Sequence, residues 1–153
     1  MEHPKISIVT VVFNDHLHIE QTLCSVLNQT YDNLEYIVID GGSTDGTVQI
    51  IKKYEKKLAY WVSEPDKGVY DAMNKAISHV TGTYVSFMNS GDSFYSNETL
   101  NEVFTKGLDK DVIFGDVFMK YTTVKSFVRR YNNLNPCSLS RNLCHQATFT
   151  KST

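Results

Sequence analysis

The chain of 153 residues has few cysteines, no long apolar run and no acidic residue after Asp116. Its three cysteines lack the spacing of metal ligands, so we expect the reduced thiols of a cytoplasmic protein. The longest apolar run, residues 8–13, is interrupted by a threonine and is far too short to span a bilayer. The N-terminus lacks the basic and apolar regions of a secretory signal. These absences argue against a membrane span and favour one globular domain over residues 1–153.

Charge is distributed unevenly, although the net charge is only −2. Residues 1–116 hold all 17 acidic and nine of the 15 basic residues and carry −8, whereas residues 117–153 carry +6. This basic segment suits a phosphate-bearing partner or an anionic membrane face, and a solvated cationic surface explains it equally well. Its aromatic residues fit a hairpin core better than a base-stacking surface, so we expect no nucleic-acid partner.

Apolar β-branched runs alternate with amphipathic segments along the chain. Strands are predicted at residues 5–13, 34–40, 59–63, 84–89 and 111–115. Helices are predicted at residues 16–27, around Ile51, at 69–80 and at 97–106. Their expected caps are Asn14 or Asp15 at the first N-terminus, and Gly82 and Gly107 at the last two C-termini. With a hairpin at residues 117–131, the pattern predicts an α/β fold with a mostly parallel sheet, helices on both faces and a C-terminal β-hairpin.

A polar cluster follows each of the five predicted strands. Parallel strands end at one edge of a sheet, here called the carboxyl-end rim, and ligands of such sheets bind there. We therefore expect one site to unite residues 13–14, 40–42, 64–68, 89–92 and 115–116.

Two nucleotide-binding motifs do not fit the glycine loop at residues 41–47. A dinucleotide fingerprint would follow the first strand and would have glycine in place of Ser43. A P-loop would have a lysine after Gly46, where Thr47 stands. A plain strand-to-helix turn, capped by Ser43, Thr44 or Asp45, explains residues 43–47 as well as a site does. Asp40, at the end of an apolar run, fits that interpretation less well.

Five stretches carry a resemblance to a known family: residues 7–14 (SIVTVVFN), 25–31 (SVLNQTY), 35–47 (EYIVIDGGSTDGT), 63–75 (SEPDKGVYDAMNK) and 85–94 (VSFMNSGDSF). In this order they resemble the family 2 glycosyltransferases, which have the Rossmann-like GT-A fold. The resemblance covers about residues 5–150. It is strongest to bacterial members that build capsule, exopolysaccharide or lipopolysaccharide.

The resemblance implies metal-dependent, inverting sugar transfer from a nucleotide sugar, with a UDP-sugar as first choice, to a saccharide or lipid-linked acceptor. Asp92 is the implied ligand of Mn²⁺ or Mg²⁺, because such sites need only one or two carboxylates beside phosphates and waters. The implied nucleotide-sugar contacts are Val11, Phe13, Asn14, Asp40, Gly41, Lys67, Gly68, Asn74, Asn89, Ser90 and Gly91.

Three departures from the family pattern affect this interpretation. Residues 89–92 keep only the last carboxylate of an Asp-x-Asp-like motif, and Gly41 replaces the second of two adjacent acids after strand two. Asp66 and Asp71 either face the pocket or cap the next helix, and capping is the simpler reading. The catalytic base, which the family takes from an acid beyond the hairpin, is absent. His145 is a substitute candidate, although a structural histidine is the simpler account, and Asp116 is a candidate for an acceptor contact.

We therefore expect a C-terminally truncated chain, with residues 1–116 as the nucleotide-sugar-binding half and residues 117–153 as the start of the acceptor half. A cytoplasmic enzyme, at the inner membrane face if the basic segment binds lipid, is the leading hypothesis. A non-catalytic nucleotide-sugar-binding module is the alternative. A nucleotidyltransferase would have a glycine- and lysine-rich loop after strand one, which residues 13–16 are not. An incomplete acceptor half would expose apolar surface and favour a homo-oligomer.

Overall fold

The computed structural model describes residues 3–104, 110–119, 127–129 and 148–152. The strands are β1 (Ile6–Val12), β2 (Leu34–Asp40), β3 (Tyr60–Ser63), β4 (Tyr84–Phe87), β5 (Val112–Phe114), β6 (Val117–Met119), β7 (Phe127–Arg129) and β8 (Thr148–Lys151). The helices are α1 (Ile19–Leu27), α2 (Thr47–Tyr54), α3 (Val69–Ile77) and α4 (Thr99–Phe104), and a 3₁₀ turn covers Glu55–Lys57.

Six strands form one sheet in the order β3–β2–β1–β4–β8–β5. The first four strands are parallel, with Ile6 opposite Leu34 on one side of β1 and Tyr84 on the other. Every residue of β1 is buried, as its almost unbroken β-branched sequence predicts for the centre of such a sheet. The predicted α/β fold with a mostly parallel sheet is confirmed.

Helices cover both faces of the sheet. Ile19 of α1, Ile51 of α2 and Leu100 of α4 belong to a core cluster with Ile6 and Ile8. A second cluster on the other face joins Ala72 and Ala76 of α3 to strand residues Val9, Val11, Ile37 and Ile39. Adjacent strand residues enter different clusters because side chains alternate across a strand, so β1 and β2 supply apolar residues to both faces.

Strand β8 has no counterpart among the predicted strands. It pairs antiparallel with β4 and with β5, which makes the sheet mixed. Four residues (TFTK) give too short an alternation for periodicity to detect, and its partners lie more than 30 residues away. The predicted hairpin is confirmed by the antiparallel pairing of β6 with β7, from Val117 opposite Arg129 to Met119 opposite Phe127.

Helix α3 ends earlier than expected, and Gly82 is not its cap. The helix stops at Ile77, with Ser78 in the capping position. Gly82 instead lies against β1, where a Cβ would come within 2.5 Å of Ser7 Oγ and 2.8 Å of the Lys5 carbonyl oxygen. Only glycine allows this approach of two backbones. Likewise, α1 begins at Ile19 with His18 as an N-cap whose side chain makes no capping hydrogen bond to the helix backbone, so neither Asn14 nor Asp15 is the cap. Gly107 lies outside the described residues.

No helix in the described parts of the chain combines the length and the apolar character needed to cross a membrane.

A buried carboxylate joins three strands at the edge opposite the carboxyl-end rim. Glu35 is 7% exposed and accepts hydrogen bonds from Ser7 Oγ (2.5 Å), from the Thr81 backbone N–H and hydroxyl (2.6 Å each) and from the Gly82 N–H (3.1 Å). Lys5 Nζ lies 2.6 Å from its Oε2. Burial raises the pKa of Glu35, but the hydrogen bonds from Lys5, Ser7 and Thr81 outweigh burial and lower it to about 2.

We predict that Glu35→Gln flattens the acid dependence of stability. A pKa lowered from 4.5 to about 2 in the folded state contributes stability that is present above pH 4.5 and is lost as the pH falls towards 2. The wild-type chain should therefore lose on the order of 2–3 kcal/mol more than the variant over that interval. Urea unfolding followed by circular dichroism between pH 7 and pH 2.5 measures this difference. Glu102→Gln, at an exposed position of α4, is the matched control, and equal acid dependence in all three proteins would contradict the assignment.

Candidate functional site

The carboxyl-end rim brings together the polar clusters that follow the strands. Strands β1 to β4 end there because they are parallel, and β5 ends there because β4 and β5 are both antiparallel to β8. The chain order along the sheet reverses at β1, with β2 and β3 on one side and β4 on the other. In α/β sheets, ligands bind at such a reversal, in the crevice outside the carboxyl ends of the strands.

Hydrogen bonds join the loop after β1 to the loop after β2. The Asn14 N–H donates to Ser43 Oγ (2.7 Å), and the Thr44 N–H donates to Asn14 Oδ1 (2.9 Å). Asn14 has a φ of +50°, a left-handed conformation that asparagine tolerates better than most residues. Asp45 accepts from the Thr47 hydroxyl and from the His16 N–H, and these hydrogen bonds, led by that from Thr47, lower its pKa. The N-cap of α2 is Gly46, so none of the three predicted residues holds that position, although Asp45 Oδ1 accepts from the Thr47 N–H (3.0 Å) at the start of the helix.

Asp15 connects the loop after β1 to the loop after β4. Its Oδ2 accepts from Ser90 Oγ (2.7 Å), and its Oδ1 lies 2.5 Å from His18 Nδ1. Burial raises the pKa of Asp15, but its hydrogen bonds with Ser90 and His18 outweigh burial and lower that pKa. The sequence interpretation treated Asp15 only as a cap. Its position directly after a buried strand was the signal that it belongs to the rim.

Thr22 of α1 holds the glycine turn at residues 89–92. The Gly91 N–H donates to Thr22 Oγ1 (3.0 Å), and this hydroxyl donates in turn to the Asp92 carbonyl oxygen (2.8 Å). Gly91 has a φ of +93°, which residues with a side chain rarely adopt. Within this turn, the side chains of Asn89 and Asp92 are half-buried.

Asp40, at the end of β2, is fully buried. Its Oδ2 accepts three hydrogen bonds: from the N–H groups of Gly42 (3.1 Å) and Ser43 (2.9 Å), and from Ser63 Oγ at the end of β3 (2.6 Å). Its Oδ1 is buried without a hydrogen-bond partner among the described residues. Asp40 therefore organises the loop after β2, and a contact with a nucleotide stays a prediction.

Carboxylates also organise the loop between β3 and α3. Asp66 Oδ1 accepts from the Gly68 N–H (2.7 Å), and Asp71 Oδ2 accepts from the Lys67 N–H (3.0 Å). Capping is thus confirmed for one oxygen of each acid. Lys75 lies 2.9 Å from Glu64 Oε1, and this hydrogen bond raises the pKa of Lys75. The Lys67 side chain is exposed at the rim.

A cavity of about 210 Å³ lies between α3 and the end of β4. Its lining is largely apolar and consists of Val69, Tyr70, Met73, Phe87 and Asn89. Tyr70 is strongly exposed, so the cavity opens to solvent beside the first turn of α3. Asn89 is the one predicted site residue that lines it, which places the cavity beside the turn that carries Asp92.

The remaining predicted residues have different surroundings. Val11 is buried within β1, whereas Phe13, directly beyond that strand, is 62% exposed. Asn74 is exposed on α3, and Asp116 is exposed after β5. His145 lies outside the described residues, so its role stays a prediction.

The carboxylates of the rim fit a cation that a bound diphosphate helps to hold. No group of three or more histidine, cysteine, aspartate or glutamate side chains in the described ranges is arranged to hold a metal ion. Mg²⁺ and Mn²⁺ are commonly bound by one or two carboxylates together with substrate phosphates and waters. Asp92 is half-buried in the turn after β4, and its role as a cation ligand stays a prediction.

Residues 7–151 match the family described as Glycosyl transferase family 2. A PGL/p-HBAD biosynthesis glycosyltransferase of Mycobacterium bovis (strain BCG / Pasteur 1173P2) is 33% identical over 158 residues. That alignment covers 97% of this chain, and the chain spans 60% of the length of this relative.

Two solved structures share the architecture. One is S. aureus TarS 1-349 in complex with UDP-GlcNAc, which is 30% identical with a TM-score of 0.63 and covers 71% of this chain and 33% of that chain. The other is the mannosyltransferase PcManGT from Pyrobaculum calidifontis in complex with GDP-Man and Mn²⁺. It has a TM-score of 0.67 over 75% of this chain and 36% of that chain, and at 24% identity it shows the fold alone. The expected GT-A fold is confirmed.

We predict that removing the Asp40 carboxylate destabilises the chain through the loop after β2. Asp40→Ala leaves two backbone N–H groups and the Ser63 hydroxyl without their acceptor, which should cost about 2–4 kcal/mol. Asp40→Asn keeps one acceptor oxygen and should cost less, and Ser63→Ala should cost about 1 kcal/mol. Urea unfolding at pH 7 measures the series. An Asp40→Ala protein as stable as the wild type would contradict this role.

Proposed function

The chain belongs to glycosyl transferase family 2, and on that basis we propose that it transfers a sugar from a nucleotide-sugar donor to a saccharide or lipid-linked acceptor. The proposed transfer depends on a divalent cation and inverts the anomeric carbon. A UDP-sugar is the proposed donor, and the reaction serves the synthesis of a cell-surface polysaccharide. The single observation that carries the proposal is the joining of the loops after β1 and β4, through Asp15 and Ser90, at the reversal of the sheet.

The relatives support this choice of substrate class. TarS, at 30% identity, was solved with UDP-GlcNAc, and the M. bovis relative is named a PGL/p-HBAD biosynthesis glycosyltransferase. The rim of this chain offers the corresponding chemistry: an exposed aromatic ring at Phe13, an exposed lysine at Lys67 and a carboxylate at Asp92.

The proposed donor lies along the rim. Its base and ribose contact Val11, Phe13 and Asn14, above Asp40 and Gly41. The residues proposed to bind its phosphates and sugar follow β3 and β4 or lie on α3: Lys67, Gly68, Asn74, Asn89, Ser90 and Gly91. Gly68 and Gly91 have φ values of +110° and +93°, so both turns need glycine, and the missing side chains leave room for a phosphate beside them.

Asp92 is the proposed protein ligand of the cation. When bound, Mn²⁺ or Mg²⁺ supplies Lewis-acid stabilisation of the negative charge that forms on the departing diphosphate. The backbone of Asp92 lies where the turn at residues 89–92 meets α1, and Thr22 fixes that turn through its bonds to the Gly91 N–H and the Asp92 carbonyl oxygen.

The proposed reaction is a single displacement. The acceptor hydroxyl oxygen bonds to the anomeric carbon as the bond from that carbon to the diphosphate oxygen breaks, and the electron pair of that bond stays with the diphosphate. A general base takes the hydroxyl proton. His145 is a proposed base and Asp116 a proposed acceptor contact. Asp116 follows β5 on the same rim.

Residues 1–116 are proposed as the donor half and residues 117–153 as the start of the acceptor half. The cavity beside Asn89 lies next to the proposed position of the donor sugar. The alternative function is a module that binds a nucleotide sugar without transferring it. Release of UDP from UDP-GlcNAc over hours, with and without added acceptor sugars, separates the two. Turnover supports the enzyme, and binding without turnover supports the module.

We predict that a divalent cation is needed for tight UDP binding, and that the cation no longer strengthens UDP binding in the Asp92→Ala variant. Asp92 is the carboxylate expected to hold the cation beside the diphosphate, so its loss should weaken binding at least about 10-fold. Calorimetric titration with UDP, with Mn²⁺ and with EDTA, measures the effect. Asp32→Ala, at a position that is 84% exposed in the loop before β2, is the matched control.

Two outcomes would contradict the proposal in different ways. Equal UDP affinity in the Asp92→Ala and wild-type proteins would remove Asp92 from the site. Failure of the wild-type chain to bind UDP, GDP or dTDP with Mn²⁺ would remove the donor site itself.

A further inference from the structure

The space above Gly41 is filled by a side chain from another loop. A Cβ built on Gly41 would lie 2.5 Å from Asp66 Oδ2, 3.2 Å from Asp66 Cγ and 3.3 Å from Phe13 Cδ2. The Asp66 carboxylate therefore occupies the place that a side chain at position 41 would take. This arrangement needs both the missing side chain at 41 and the acid at 66.

The two oxygens of Asp66 have different surroundings. Oδ1 accepts from the Gly68 N–H at 2.7 Å and thereby holds the turn before α3. Oδ2 lies above Gly41, and no donor among the described residues bonds to it. Capping thus explains one oxygen of this carboxylate and leaves the other available to a ligand.

Asp40 cannot serve as that acceptor in this conformation, although it directly precedes Gly41. Its side chain is fully buried, and its Oδ2 is occupied by Gly42, Ser43 and Ser63. Asp66 is only partly buried. Of these two acids, Asp66 is therefore the one that a ligand at the rim can reach.

Phe13 supplies the second element of a base-binding arrangement. Its ring is 62% exposed and lies against the same point above Gly41 as the Asp66 carboxylate. Proteins bind unpaired bases by stacking them on an aromatic ring and by hydrogen-bonding their edges. A carboxylate only accepts hydrogen bonds, so it selects a base edge that carries an N–H donor.

We propose that Asp66 determines the base specificity of the donor site, by accepting the ring N–H of a base that stacks on Phe13. The preferred bases are those whose ring N–H lies next to a carbonyl group, namely uracil, thymine and guanine. Cytosine is disfavoured although it has an amino donor, because its unprotonated ring nitrogen at the corresponding position faces the carboxylate acceptor to acceptor. This inference rests on the proposed function, because it presumes that a nucleoside diphosphate occupies the rim.

The test compares UDP with 3-methyl-UDP, in which a methyl group replaces the hydrogen on the ring nitrogen N3. With Mn²⁺ present, calorimetry should show that the wild-type chain binds UDP at least about 10-fold more tightly than 3-methyl-UDP or CDP. Asp66→Asn retains an oxygen for the Gly68 N–H but offers an NH₂ donor in place of Oδ2. It should bind UDP about 10-fold more weakly and should no longer disfavour CDP.

Substitutions at Gly41 test the geometry without changing Asp66. Gly41→Ala places a methyl group 2.5 Å from Oδ2 and must displace the flexible carboxylate, so it should reduce UDP affinity as Asp66→Asn does. Gly115→Ala is the matched control, because a Cβ on Gly115 would have no atom within 4 Å. The double variant Gly41→Asp/Asp66→Ala returns a carboxylate to the same space and should restore the preference for UDP over 3-methyl-UDP.

The outcomes separate this inference from the proposed function. If the wild-type chain binds UDP but does not distinguish 3-methyl-UDP, and if Asp66→Asn leaves its affinity unchanged, the role of Asp66 is overturned and the donor site stands. If the wild-type chain binds neither UDP, GDP nor dTDP, both are overturned. If GDP alone binds, 1-methyl-GDP replaces 3-methyl-UDP, and the same loss of discrimination in Asp66→Asn is required.

Discussion

The geometry of the rim depends on the hydrogen bonds that Asp40 accepts. A carboxyl group that is completely buried needs hydrogen-bond donors. For Asp40, these are the N–H groups of Gly42 and Ser43 and the hydroxyl of Ser63 at the end of β3. Opening the loop after β2 would leave this buried group without them. The loop is consequently held close to β3, and Gly41 stays under the loop that contains Asp66.

Strand β2 carries a buried carboxyl group near each of its ends. Glu35, near its start, bonds to β1 and to the turn before β4, whereas Asp40, at its end, bonds to the loop before α2 and to β3. The two groups point to opposite faces, because their positions in the strand differ by five, an odd number. Near its start and at its end, β2 is thus connected to neighbouring segments by side-chain hydrogen bonds, in addition to the backbone hydrogen bonds of the sheet. A rigid sheet edge of this kind suits a site whose side chains must hold their positions before the ligand arrives.

Much of the fold could be predicted from the sequence, and the failures have identifiable physical causes. The central strands were evident because burial on both faces requires nearly continuous apolar sequence, as in Ile6–Val12. Strand β8 was missed because its pairing is non-local and its four residues carry almost no periodic signal. The function of Gly82 was misassigned, since a glycine after a helix resembles a cap, whereas the real constraint is a backbone contact with Lys5 and Ser7. The rim clusters were predicted from strand ends alone, but the position of Asp66 above Gly41 depends on how two loops meet in space.

The placement of β8 has a consequence for the order in which the chain can assemble. β5 joins the sheet only through β8, because β8 lies between it and β4. A nascent chain that has emerged only as far as Asp116 can pair β1, β2, β3 and β4 with one another, since their parallel partners are already present, although the β8 side of β4 is still unpaired. The edge that carries Asp116 must wait for residues 148–151, and closing that longer loop is slower. During synthesis, the part of the rim proposed to hold the nucleotide is therefore complete before the part that would meet the acceptor.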